Sequence, residues 1–119
     1  MKEPVVFIIE DDSKIRNIMT IALRNDFEVE AFEDGYTALE RLHTTIPAVI
    51  FLDLNLPKLS GKDTLLKIKS DGRLKDVPII IATADGMQAI ALKNYAELVL
   101  VKPISPIQLL ELTKNICGI

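Results

Sequence analysis

Glu10, Asp11, Asp53, Thr83 and Lys102 are the residues of this sequence whose types and placing could do chemistry together. Each closes an apolar run: Val5–Ile9 ends at Glu10-Asp11, Ala48–Leu52 at Asp53, Val77–Ala82 at Thr83 and Leu98–Val101 at Lys102. The first three of these runs read as strands buried on both faces, and Leu98–Val101 reads as the last strand. Polar residues at the carboxyl ends of such strands sit where open α/β sheets bind ligands. If the four ends share one edge, three carboxylates, an ammonium and a hydroxyl converge. Two carboxylate charges about 4 Å apart cost about 4 kcal/mol at an effective dielectric of about 20. Either part of the cluster is protonated or a cation joins it. Hard oxygen donors suit Mg²⁺, with Mn²⁺ as the alternative, and the backbone carbonyl of Asn55 is a further candidate ligand. A phosphoryl group arriving there would find its oxygens neutralised by the cation and Lys102. The Thr83 hydroxyl and a backbone N–H at Ala84 would be its donors, and Asp53 the in-line nucleophile.

The elements that must position these groups are legible in order. Ile15, Ile18, Met19, Ala22 and Leu23 follow the spacing of one helix face, with Asp12 or Ser13 as N-cap. Phe27–Phe32 alternates apolar with charged apart from Ala31, the pattern of a strand with one wet face, hence an edge strand. A second helix is expected from about Gly35 to Thr44, with Ala38, Leu39 and Leu42 inward. Ser60-Gly-Lys-Asp63 has the form of a capping box and opens a third helix whose apolar side is Leu65, Leu66 and Ile68. A short helix is expected from about Met87 to Tyr95. Ser105-Pro106-Ile107-Gln108 opens the last, with Leu109, Leu112 and Ile116 inward and Gly118 as its stop. Five strand–helix repeats imply a parallel sheet covered on both faces, an α/β architecture. Right-handed crossovers and the edge character of the second strand favour the flavodoxin-like order 2-1-3-4-5. The crevice then lies between the first and third strands.

The whole chain narrows the function classes. It has 119 residues, 49% apolar and 26% charged, with net charge −3. That suits one compact domain over residues 1–119. No basic patch suggests direct nucleic-acid binding. One cysteine, Cys117, excludes an internal disulfide and fits a reducing compartment. The early apolar run is too short for a signal or membrane segment, so a cytoplasmic location without membrane attachment is expected.

Taken in order, IIEDD (Ile8–Asp12), FLDLNLP (Phe51–Pro57) with Gly61, IIIATA (Ile79–Ala84) and VKP (Val101–Pro103) resemble the receiver domain of bacterial two-component response regulators. The resemblance covers essentially the whole chain. It implies that Asp53 accepts phosphate from the phosphohistidine of a histidine kinase or phosphotransfer protein. It implies Mg²⁺ held by Asp11, Asp53 and the Asn55 carbonyl, with Glu10 acting through water. Thr83 would bond the phosphoryl group and shift inward on activation, Lys102 would pair with a phosphoryl oxygen, and Lys102-Pro103 is often cis in that family. Asn55 and Asp85 match positions that tune dephosphorylation. The implied protein is a switch rather than a turnover enzyme, a monomer or weak dimer. Its output is a separate protein or an effector domain outside this chain. One departure stands out: the family usually has Tyr or Phe three residues before the lysine, and here that residue is Val99.

Three other readings compete. A receiver-like interaction domain independent of phosphorylation is suggested by Val99. A haloacid-dehalogenase-like phosphatase would need Asp-x-Asp, and Asn55 occupies the second position. A flavodoxin-type cofactor binder would leave Asp53 and Lys102 without a task.

Overall fold

A computed structural model of the protein describes residues 3–119. Its elements are β1 (Val5–Ile9), α1 (Ser13–Leu23), β2 (Glu28–Phe32), α2 (Gly35–Leu42) and β3 (Val49–Asp53). They continue with α3 (Gly61–Ser70), β4 (Ile79–Thr83), α4 (Gly86–Leu92), β5 (Leu98–Val101) and α5 (Pro106–Cys117). The strands form one parallel sheet in the order β2-β1-β3-β4-β5, as expected.

Alternation along the central strands builds two cores. Phe7, Ile9, Ile50, Leu52, Ile79 and Ile81 pack with Ala38 and Leu42 of α2 and Leu65 and Ile68 of α3. Val6, Ile8, Val49, Phe51, Ile80 and Ala82 face the other way, onto Met19 and Leu23 of α1 and Leu109 of α5. Because successive strand side chains go to opposite faces, both faces need apolar residues, hence the unbroken runs.

Each helix is started by a polar side chain that accepts a backbone N–H of its first turn. Asp12, Asp34, Ser60, Asp85 and Ser105 do this for α1 to α5 respectively. Pro106 occupies the first turn of α5, and Gly118 closes it in the left-handed conformation (φ 71°). The Lys102-Pro103 peptide is cis.

The inward faces differ from the periodicity in places. Ile15 and Ile18 are exposed, because α1 is rotated to set Met19 and Leu23 on the sheet. They instead flank a cavity of about 490 Å³ with Pro103, Ile104 and Leu109. Leu66 is exposed, while Thr64 and Gly61 take buried positions on α3. On α5 Thr113 rather than Leu112 is fully buried, its hydroxyl satisfied by the Leu109 carbonyl at 2.7 Å. The fourth helix ends at Leu92, three residues short of Tyr95, which lies exposed in the following turn.

Candidate functional site

The parity that builds the two cores also sorts the chemical residues. Val6 and Ile8 face the α1/α5 side, and Glu10 continues their alternation. Val49 and Phe51 are followed by Asp53, and Leu98 and Leu100 by Lys102. Glu10, Asp53 and Lys102 therefore emerge together at the carboxyl edge, with β1 and β3 as neighbours. Ile79 and Ile81 belong to the opposite face, so Thr83 continues toward α4.

Lys102 Nζ lies 2.9 Å from Asp53 Oδ2 and 3.4 Å from Glu10 Oε1. Glu10 and Asp53 are each 1% exposed. The amide of Asn55 donates to Asp53 Oδ1 at 3.0 Å, and the amide of Asp12 to Glu10 Oε2 at 3.2 Å. Asp11 is exposed at the rim, yet it can bring a carboxylate oxygen within 4.8 Å of oxygens from Glu10 and Asp53. Lys102 is tied to the fourth strand as well, its amide donating to the Thr83 carbonyl at 2.8 Å. The Thr83 hydroxyl does not face Asp53's partners. It donates to Gln88 Oε1 at 2.9 Å and accepts from the Asp85 amide at 3.1 Å. Ala84 and Asn55 are exposed beside the site.

Two further residues belong to this geometry that motif reading did not single out. Arg16 Nη1 donates to the carbonyls of Glu10 and Asp11 at 2.8 and 3.3 Å, so α1 fixes the turn that carries both acids. Gln88 holds Thr83. A basic residue one turn into α1 and an amide one turn into α4 are ordinary helix residues in sequence, with no pattern that marks them.

The electrostatics match the crowding. Burial, then the hydrogen bond and charge of Asp53, push the Glu10 carboxyl up to about 7; the Asp12 amide and Lys102 only partly oppose this. Burial works against the Lys102 charge, but the hydrogen bond and charge of Asp53, with those of Glu10, outweigh it and raise its pKa. Once Glu10 gives up its proton, the three carboxylates and the ammonium sum to net charge −2, which one divalent cation cancels. The donor set is oxygen only, as Mg²⁺ or Mn²⁺ requires. Glu10, Asp11 and Asp53 therefore fit a hard divalent cation.

A pH dependence follows in cation-free buffer. Folded Glu10 keeps its proton to about pH 7, whereas the unfolded side chain loses it near 4.5. Its contribution is thus full below about 4.5 and is lost as pH rises through about 7. Urea unfolding is expected to show stability falling by up to about 3 kcal/mol between about pH 5 and 8. Glu10→Gln should flatten that slope; an unchanged slope would assign the effect elsewhere.

The sequence profile described as the response regulator receiver domain matches residues 6–114. The chain belongs to this receiver family. Such receivers are the phosphorylation-dependent signalling modules of two-component systems. Among relatives, the chemotaxis protein CheY1 of Helicobacter pylori is 32% identical over 119 residues, covering 95% of this chain and 96% of that protein. The response regulator Rre1 of Synechocystis is 26% identical over 98% of this chain, which spans only 53% of Rre1. The crystal structure of a putative response regulator from Chloroflexus aurantiacus superposes with a TM-score of 0.90 at 26% identity, covering 98% and 99% of the two chains. In this receiver Val99 pairs with Ile81 and is half-buried against the α2/α3 core. Among the described residues, no helix is long and apolar enough to cross a membrane.

Proposed function

We propose that Asp53 accepts a phosphoryl group from the phosphohistidine of a histidine kinase or phosphotransfer protein, and that the added charge switches an output surface. The observation that carries this reading is the environment of Asp53. It is a carboxylate at 1% exposure, steadied on one oxygen by the Asn55 amide and on the other by Lys102. A carboxylate has about four lone-pair sites, so these two contacts leave about two, enough for one to attack. The attacking oxygen forms the P–O bond as the P–N bond breaks, and the electron pair leaves with the imidazole. Lys102 stays beside the product and neutralises a phosphoryl oxygen, while Thr83 and the Ala84 amide are the remaining donors.

Glu10, Asp11, Asp53 and the Asn55 carbonyl are the residues that would hold Mg²⁺. When bound, it supplies charge neutralisation for the transferred group. The protein acts as a switch that makes and loses its own phosphoaspartate rather than as a turnover enzyme. In our reading it is a single receiver domain, cytoplasmic, monomeric or weakly dimeric. It delivers its signal to a separate output protein or to an effector segment outside this sequence.

Transfer from a phosphorylated histidine kinase is the test. Label should move to the wild type only with Mg²⁺ present and should not move to Asp53→Asn. Equal labelling of Asp53→Asn would overturn the assignment. Val99 favours a second reading, an interaction domain indifferent to phosphorylation. In that case no label would transfer, and an output partner would bind wild type and Asp53→Ala equally.

A further inference from the structure

We propose that Gln88 is a latch on Thr83: its side-chain carbonyl holds the threonine hydroxyl on α4 and must release it before that hydroxyl can donate to a phosphoryl group on Asp53. The inference rests on Asp53 being the phosphoacceptor and adds the step that links that charge to the surface.

A threonine hydroxyl has one proton to donate. In this structure it goes to Gln88 Oε1, at 2.9 Å. The hydroxyl's accepting side is also engaged, by the Asp85 amide at 3.1 Å. Donation to Gln88 and donation to a phosphoryl oxygen therefore exclude each other. The direction of the side chain agrees. Thr83 continues the Ile79–Ile81 parity toward α4, whereas Asp53 and Lys102 continue the opposite parity. Reaching the phosphoryl group means turning away from α4.

The element that would feel the release is weakly held. α4 has seven residues and buries one of them, Leu92. Asp85 caps it through the amides of Met87 and Gln88, so loss of the Thr83 contact leaves the helix intact. What changes is its tether to the sheet. Met87 and Ile90 lie exposed on the same helix, 77% and 66%, and would move with it.

Val99 cannot supply this coupling. It is β-branched, carries no hydrogen-bonding group, and is packed against the α2/α3/α4 core beside Ile81. Gln88 is the side chain that touches Thr83 from the moving element.

The test uses Mg²⁺ and beryllofluoride as a non-covalent phosphoryl mimic, titrated into wild type, Gln88→Leu, Thr83→Val and the double variant. Gln88→Leu removes the competing acceptor and is expected to bind about fivefold tighter, the equilibrium effect of one net side-chain hydrogen bond. In the Thr83→Val background the same change should have no effect. The Gln88 side-chain amide resonances should shift when the wild type binds. In Thr83→Val they should already be displaced without the mimic. If wild type binds while Gln88→Leu binds equally or more weakly, the latch is overturned and the phosphoacceptor assignment stands. Equal tightening in both backgrounds also overturns it, since the hydroxyl would then play no part. If wild type does not bind beryllofluoride, or if Asp53→Asn titrated alongside binds it as tightly as wild type, the phosphoacceptor assignment falls and the latch with it.

Discussion

Lys102→Met is expected to lose about 2–3 kcal/mol of stability near pH 8 in cation-free buffer, with a clearly smaller loss near pH 5.5. Lys102 is the one cation within salt-bridge reach of Glu10 and Asp53, at 3.4 and 2.9 Å, among the described residues. Removing it leaves two carboxylates of 1% exposure without a counter-charge. Breaking a buried pair in this way typically costs about 3–5 kcal/mol, and the figure is discounted here because the Lys102 side chain is itself 25% exposed. The sign of the pH effect follows from Glu10. Near pH 5.5 it carries a proton, and the stranded charge is reduced to that of Asp53. Urea midpoints at the two pH values measure both parts. Mg²⁺ should recover much of the stability, because it replaces the lost positive charge. It should not recover phosphoryl uptake, which we expect to stay at least about a hundredfold slow, since a preorganised charge at the reacting oxygens is missing. A loss of stability independent of pH would show that Lys102 acts by packing alone.

Gly61→Ala is expected to cost about 2–4 kcal/mol, the largest effect of any single methyl group added near the site. A Cβ at Gly61 would meet Asp53 O and Leu54 O at 2.7 Å and would crowd Leu54 Cα still more closely. These are backbone atoms, so relief requires the β3–α3 connection itself to move, and Asp53 with it. Gly61 also donates its amide to the Leu54 carbonyl at 3.2 Å, which holds the start of α3 against the end of β3. Gly72→Ala is the matched control, with nothing within 4 Å of the added carbon, and should change stability by less than about 0.5 kcal/mol. Comparing urea midpoints of the two variants isolates the close approach from the general effect of replacing glycine. Equal, small losses would mean that the backbone at Asp53 yields easily.

The fold was readable because the sheet is buried on both faces. Val5–Ile9, Ala48–Leu52 and Val77–Ala82 leave no alternation to misread, and Ser60, Ser105 and Pro106 mark helix starts by their own chemistry. The strand ends were readable for the same reason, since a carboxylate or lysine after an apolar run has only the edge of the sheet to occupy. Less readable were the helix faces. Ile15, Ile18 and Leu66 have the right spacing, but three adjacent apolar columns cannot all reach one sheet surface, and tertiary packing chose Met19, Leu23 and Leu65. Thr83 shows a different limit. Its place after β4 was plain, while its hydroxyl's engagement by Gln88 depends on how α4 is set against the sheet, which no local pattern encodes. Strand parity, applied to Thr83, would have pointed it toward α4.

In the proposed mechanism Asp53 carries the phosphoryl group. Acetyl phosphate with Mg²⁺, followed by intact-mass and peptide-level mass spectrometry, tests it without needing the cognate kinase. One added phosphoryl group is expected, on the peptide that contains Asp53, absent without Mg²⁺ and absent in Asp53→Asn. The same added mass on Asp53→Asn, or on a wild-type peptide that lacks Asp53, would contradict it.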